Sequence, residues 1–251
     1  MPSPAEISPI AWVLLAVASV IVGFSKTAFP GINTISIAIF AAILPARAST
    51  GTLLLLLIIG DVFALVSYRR HADWPTLARL LPAVVVGLGL GALFLAFADD
   101  DWVRRTIGLI LLLLIAVTLW RRYRSSGAAP SGRAAGIARA GYGSLGGFTT
   151  MVANAGGPPI ALYFLAMRFE VLAFLGTAAW FFAVINLVKV PIAIGIGIIG
   201  LDTLQWVLLL APAVIAGALS GRWLAKRVTQ QAFEWVVIVG TVLGALYLLV
   251  A

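Results

Sequence analysis

Long apolar runs recur from one end of this sequence to the other, and they restrict the folds that the chain can adopt. Hydrophobic residues make up 62% of the 251 residues, charged residues only 10%, and the mean hydropathy is +1.10. Ordinary soluble domains do not have this composition, and a run of about 20 apolar residues is what a membrane-spanning helix requires. We therefore predict an all-α, polytopic integral membrane protein without a separate soluble domain.

The remaining composition excludes several classes of function. A net charge of +8 does not indicate a nucleic-acid partner here, because the arginines cluster in short loops beside apolar runs, which is typical of a protein embedded in a lipid bilayer. Cysteine is absent, which excludes disulfides and thiolate chemistry. The single histidine, His71, lies in a loop, whereas a metal site needs several convergent ligands. We expect no metal and no cofactor, and no cleaved signal peptide at the N-terminus.

Two of the predicted helical segments are too short to cross a membrane. At a rise of ~1.5 Å per residue they would reach only about 21 Å (residues 31–44) and about 15 Å (residues 158–167), against a hydrocarbon core of ~30 Å. We interpret both as half-helices that follow a break. The predicted segments are Ile10–Phe29, Gly31–Leu44, Thr50–Tyr68, Leu77–Ala98, Trp102–Trp120, Ala138–Ala153, Pro158–Met167, Leu172–Gly200, Leu204–Ala225 and Ala232–Val250.

The sequence also contains an internal duplication. The stretch "LPAVVVGLGLG" at residues 81–91 recurs as "APAVIAGALSG" at residues 211–221, with the proline and both glycines in register. Further equivalent pairs are Gly23 and Gly147, Gly51 and Gly176, and Asp61 and Asn186. The repeated Gly-x3-Gly spacing is typical of close helix packing.

The duplication predicts two membrane repeats in opposite orientations. We place the first repeat at residues 1–125, a basic cytoplasmic linker at 126–136 and the second repeat at 137–251. Each repeat has five helical elements, and an odd number inverts the second repeat relative to the first, as in many secondary transporters. Five arginines between residues 121 and 139 place the central loop in the cytoplasm. Both termini are then extracytoplasmic, in a bacterial inner membrane.

The two breaks are the predicted functional region. They read "SKTAFPGINT" and "TTMVANAGGPP", and each combines small polar residues, glycine and proline ahead of a half-helix. Irregular backbone at membrane depth is tolerated only where it is buried in protein or lines a cavity. Helix N-termini that meet near the bilayer midplane would attract anions. A plain proline kink is one alternative, and a cation held by the carbonyl ends of the preceding segments is another.

Two lysines favour an anion over a cation. Lys26 and Lys189 are the basic residues deepest in apolar runs, where a charge costs at least ~2.5–3.5 kcal/mol, and Asp61 is the only deep carboxylate. Two alternatives involve no ligand. Lys26 could form an ion pair with Asp61, and Lys189 could snorkel to a membrane interface. If Asp61 neutralises one lysine, the charge of the other lysine remains. We therefore predict a central, water-accessible anion site. The predicted substrate-binding residues are Ser25, Lys26, Thr27, Gly31, Asn33, Thr149, Asn154, Gly156, Gly157, Asn186 and Lys189, with Asp61 as a coupling group or ion-pair partner.

The stretches "GFSKTAFPGINTIS" and "GGFTTMVANAGGPPIALYFLAMR", with the duplication, resemble the TauE/SafE family of sulfite and organosulfonate exporters, also called the 4-toluene sulfonate uptake permease family. The resemblance covers almost the whole chain. It implies transport of small sulfur-containing anions such as sulfite, sulfoacetate and related sulfonates.

The predicted function is therefore a secondary transporter, an exporter that works by alternating access on a small anion. An anion channel with the same hairpins is the alternative within transport. An intramembrane enzyme lacks a credible acid/base pair. The substrate, the direction, the coupling ion and the oligomeric state, including a homodimer, are left open by the sequence.

Overall fold

The computed structural model describes residues 6–97, 130–195 and 197–229, together with residues 102, 116, 231, 232, 235, 236, 238 and 239. This part of the chain is helical and contains no strand. Its helices are α1 (Pro9–Thr27), α2 (Asn33–Ile43), α3 (Ala46–Tyr68), α4 (Trp74–Phe97), α5 (Gly132–Ala153), α6 (Gly157–Ala166), α7 (Val171–Gly195) and α8 (Leu201–Ala225). The all-α prediction is confirmed. The predicted segments Trp102–Trp120 and Ala232–Val250 lie almost entirely outside the described residues.

Five helices are long and apolar enough to cross a membrane. They are Pro9–Thr27, Ser49–His71, Trp74–Phe94, Val171–Gly195 and Leu201–Ala225. The two predicted half-helices are also present, since α2 has 11 residues and α6 has 10. The protein is therefore a multi-pass membrane protein that contains two short apolar helices.

The largest differences from the predicted helix ends are at the start of α5 and the end of α7. Helix α5 begins at Gly132 rather than at Ala138, so residues 132–136, which were predicted to belong to the linker, are helical although the sequence there is rich in glycine and arginine. Helix α7 ends at Gly195 rather than at Gly200, and Gly197 adopts a positive φ of 72° immediately afterwards. Composition predicts such ends poorly, because glycine belongs both to turns and to closely packed helices.

Helices α1 and α8 pack against each other along their lengths through backbone contacts. A Cβ atom added to Gly23 would overlap the carbonyl oxygen of Val214, and one added to Gly217 would overlap that of Val20. The helices run parallel. Trp12 near the start of α1 stacks on Trp206 near the start of α8, and the glycine contacts involve later residues of both helices. Only glycine permits so close an approach.

Helices α4 and α5 repeat this arrangement at the equivalent positions of the duplication. A Cβ atom at Gly147 would overlap the carbonyl oxygen of Val84, and one at Gly87 would overlap that of Ser144. These are the counterparts of the contacts between α1 and α8, in the same geometry. The predicted packing role of the Gly-x3-Gly stretches is confirmed.

Helices α3 and α7 cross the interior in opposite directions. A Cβ atom at Gly51, near the start of α3, would meet Ile198, which follows the end of α7. One at Gly176, near the start of α7, would lie 2.7 Å from the carbonyl oxygen of Tyr68 at the end of α3. Since α3 and α7 are equivalent in the duplication, this antiparallel pair joins like elements of the two halves.

Candidate functional site

The first break separates α1 from α2. Helix α1 ends at Thr27, Phe29 has a non-helical conformation (φ −132°, ψ 85°), and a single 3-10 turn at Pro30–Ile32 leads into α2 at Asn33. Pro30 has no N–H and therefore belongs in the first turn of a helix, where no N–H partner is required. Residues 25–31 are all buried, so this irregular backbone lies inside the protein.

The second break separates α5 from α6. Asn154 terminates α5 in the left-handed conformation (φ 55°), and its N–H bonds to the carbonyl oxygen of Thr150 at 3.1 Å. Asparagine is the residue other than glycine that most readily takes this helix-ending conformation. Pro158 and Pro159 then occupy the first turn of α6. They have no N–H groups, so α6 offers an anion fewer backbone donors than a helix without proline in its first turn.

The two breaks touch each other. A Cβ atom at Gly157 would lie 2.5 Å from the carbonyl oxygen of Pro30, so this contact requires glycine. The Asn154 side chain also donates from Nδ2 to the carbonyl oxygen of Thr50 at 3.0 Å, which ties the second break to α3. The two breaks therefore lie next to each other in the buried interior.

Lys26 forms a buried ion pair with Asp61. The distance from Nζ to Oδ1 is 2.7 Å, and the residues are 8% and 1% exposed. The second carboxylate oxygen accepts a hydrogen bond from Asn186 Nδ2 at 2.7 Å, and the ammonium group also lies 4.5 Å from the centroid of the Phe182 ring. The ion-pair alternative considered for Lys26 is therefore present, and it joins α1, α3 and α7.

Lys189 is buried in a different environment. It is 4% exposed, which excludes snorkelling to an interface. Its ammonium group donates to the carbonyl oxygen of Thr150 at 2.7 Å and to the side-chain oxygen Oδ1 of Asn154. Both acceptors are neutral, and both lie at the C-terminal end of α5, where the helix dipole places partial negative charge.

The described part of the chain has three buried charged side chains, those of Lys26, Asp61 and Lys189. Lys189 follows Asn186 by about one turn of α7, and Asn186 binds Asp61, so the three side chains belong to one region. Lys26 and Asp61 compensate each other, whereas no carboxylate lies within ion-pair distance of Lys189 in that part. With all three groups ionised, the buried cluster carries a net charge of plus one.

Three predicted binding residues donate their hydroxyl protons to backbone carbonyl oxygens. Ser25 donates to the carbonyl oxygen of Val22 at 2.8 Å, Thr27 to Ala218 on α8 at 2.8 Å, and Thr149 to Leu145 at 2.8 Å. A hydroxyl group has one proton to donate. In this conformation these residues stabilise helices and helix contacts rather than offering donors to an anion.

Asn33 has an unsatisfied polar atom at the first break. The residue is 6% exposed, stands at the first position of α2, and its Oδ1 has no hydrogen-bond partner among the described residues. Turning the amide about its last torsion would point the two Nδ2 donors in that direction instead. A buried polar group without a partner is costly, so Asn33 marks the place where a polar ligand would be favoured.

Three contributors to this region were not predicted from the sequence. Thr50 supplies a backbone acceptor to Asn154, Phe182 lies under the ammonium group of Lys26, and the Tyr68 hydroxyl donates to the carbonyl oxygen of Thr27 at 2.8 Å. Phe182 could have been found from its spacing, because it precedes Asn186 by one helical turn and shares its face. The other two act across helices and have no local signal.

Comparison with known proteins identifies the family. The family model described as "Sulfite exporter TauE/SafE" matches residues 15–248, a range that includes both breaks and all three buried charges. No curated protein and no solved structure matched the chain. A match over nearly the whole length confirms the resemblance seen in the sequence. The chain belongs to the TauE/SafE family of sulfite-exporter-type membrane transporters.

Proposed function

We propose that the protein is a secondary transporter that exports a small sulfur-containing anion, such as sulfite, sulfoacetate or another organosulfonate, from a bacterial cell. The observation that carries this proposal is the buried cluster of two lysines and one aspartate beside two breaks that contact each other. Buried charge in a membrane segment is expensive and is retained where it binds or moves an ion. A positive cluster of this kind suits an anion.

The proposed anion lies between the two breaks. The first break contributes Gly31 and the unsatisfied amide of Asn33 at the start of α2, where N–H groups and the positive end of the helix dipole favour negative charge. The second break contributes Asn154, Gly156 and Gly157. Cysteine, metal and cofactor chemistry have no part in this proposal, because binding and release of the anion are the whole reaction.

Alternating access is proposed to arise from rocking of helix bundles or from movement of the hairpins that contain the two breaks. The paired contacts of α1 with α8 and of α4 with α5 are equivalent under the duplication, and α3 runs antiparallel to its equivalent α7. Both features support an inverted repeat, the plan in which rocking of two halves opens a fixed central site to each side in turn. The membrane potential already favours the exit of an anion from a cell.

Counterflow in proteoliposomes tests this proposal. Vesicles loaded with unlabelled sulfite should accumulate labelled sulfite from the outside faster than empty vesicles do, because a carrier exchanges substrate as its site alternates. Vesicles without protein provide the background. Equal uptake in loaded and empty vesicles, with a flux that simply follows the imposed potential, would indicate an anion channel, and no protein-dependent flux of any sulfur anion would reject the proposal.

A further inference from the structure

We infer that Lys189, and not Lys26, supplies the charge that recognises the transported anion, and that Lys26 with Asp61 forms a neutral pair beside the site. This inference rests on the proposed function, since it assigns the charge within the same anion site. It separates two lysines that the sequence presents as equivalent.

The charge of Lys26 is already compensated. Its ammonium group lies 2.7 Å from Asp61 Oδ1, in an interior where both residues are nearly inaccessible to water. Asn186 holds the other carboxylate oxygen at 2.7 Å and so fixes the carboxylate in place. An anion that approached Lys26 would have to displace Asp61 or lie beside it, and two like charges in a low-dielectric region repel strongly.

The charge of Lys189 is held without being cancelled. A carbonyl oxygen and an amide oxygen orient its ammonium group, and neither carries a formal charge. An ammonium group has three N–H donors, of which Thr150 and Asn154 occupy two. The third finds no acceptor among the residues that the structure describes, and an oxygen of a sulfite or sulfonate group matches it as a charge-assisted acceptor.

Lys189 is also placed at the second break itself. Both of its acceptors belong to the end of α5, and the same Asn154 binds α3 through Thr50. A ligand that bonded to the ammonium group would therefore act on the end of α5, on α7 and on α3 together. Lys26, by comparison, contacts α3 and α7 through a pair that needs no ligand.

The absence of cysteine from the chain permits a direct test, with sulfite as the probe and its affinity measured by calorimetry on purified protein. Lys189→Cys should weaken sulfite binding at least tenfold. Treatment with 2-bromoethylamine then restores an ammonium group: the introduced thiolate displaces bromide, a thioether to the aminoethyl group forms, and bromide and excess reagent are removed by desalting. Sulfite binding should recover because the thioether is stable to sulfite, whereas alkylation with bromoethane, which adds an uncharged ethyl group, should not restore it.

The matched control is Lys26→Met with Asp61→Asn, which removes the neutral pair and leaves the net charge unchanged. This variant should bind sulfite within about threefold of the wild type. The inference is overturned if Lys189→Cys binds normally, if its thiol does not react, if the ammonium reagent fails to restore binding, or if the control variant loses binding. Absence of sulfur-anion binding in the wild type would instead reject the proposed function.

Discussion

At the scale of single residues, the ion pair leads to a prediction about stability. Lys26→Met should destabilise the protein by ~3–5 kcal/mol, because the variant leaves a buried carboxylate without its partner. The double variant Lys26→Met with Asp61→Asn should recover most of that loss, since it removes both charges. Thermal or denaturant unfolding in detergent measures the difference. A single variant as stable as the wild type would show that Asp61 does not depend on Lys26.

The buried charges could be located from the sequence, but their partners could not. The depth of Lys26, Asp61 and Lys189 in apolar runs was evident, and so was the alternative of a pair with Asp61. The acceptors of Lys189 were not, because they depend on how α7 is aligned against the end of α5. That alignment is set by packing between distant segments and leaves no local pattern.

At the scale of helices, the breaks were predictable and the helix ends less so. Proline and glycine ahead of short apolar runs correctly placed the half-helices α2 and α6. The start of α5 was misplaced because its glycines and arginines have the composition of a loop. Further along α5, Gly143 and Gly147 allow α4 to approach, a reason for glycine that becomes visible only when both helices are in place.

The contact between α4 and α5 gives the second prediction. Gly147→Ala should destabilise the protein by about 1–3 kcal/mol, because the new Cβ atom meets the backbone of α4, which cannot move aside cheaply. Gly141→Ala on the same helix is the control. Its Cβ atom would have no neighbour within 4 Å, so the change should be neutral or stabilise by up to ~1 kcal/mol. Equal effects of the two variants on unfolding would contradict the described packing.

At the scale of the whole molecule, the duplication predicted which helices would be equivalent, and the equivalent glycines do make equivalent contacts. The family also followed from the sequence and is confirmed over residues 15–248. The substrate did not follow, because a small anion is selected by a few donors whose positions depend on the whole fold. The boundaries of the repeats and the orientation in the membrane stay predictions.

The third prediction concerns the orientation of the chain in the membrane. A single cysteine in place of Ser3 should react with an impermeant thiol reagent added outside the cell, and one in place of Ser125 should react only when the reagent has access to the cytoplasm. The arginine-rich central loop is the reason for this assignment. Labelling of both positions from the same side would exclude an odd number of crossings between them and with it the inverted repeat.

The most direct measurement of the central claim is a thermal-shift screen of the purified wild-type protein against sulfite, thiosulfate, sulfoacetate, taurine, sulfate and simple carboxylates. A ligand at a hundred times its dissociation constant stabilises the folded state by ~2.7 kcal/mol, which is readily detected. We predict that at least one small sulfur-containing anion raises the melting temperature in a saturable manner, at constant ionic strength and with the cation held fixed. A melting temperature that none of these sulfur anions changes, or that responds only to the cation, would contradict an anion site between the two breaks.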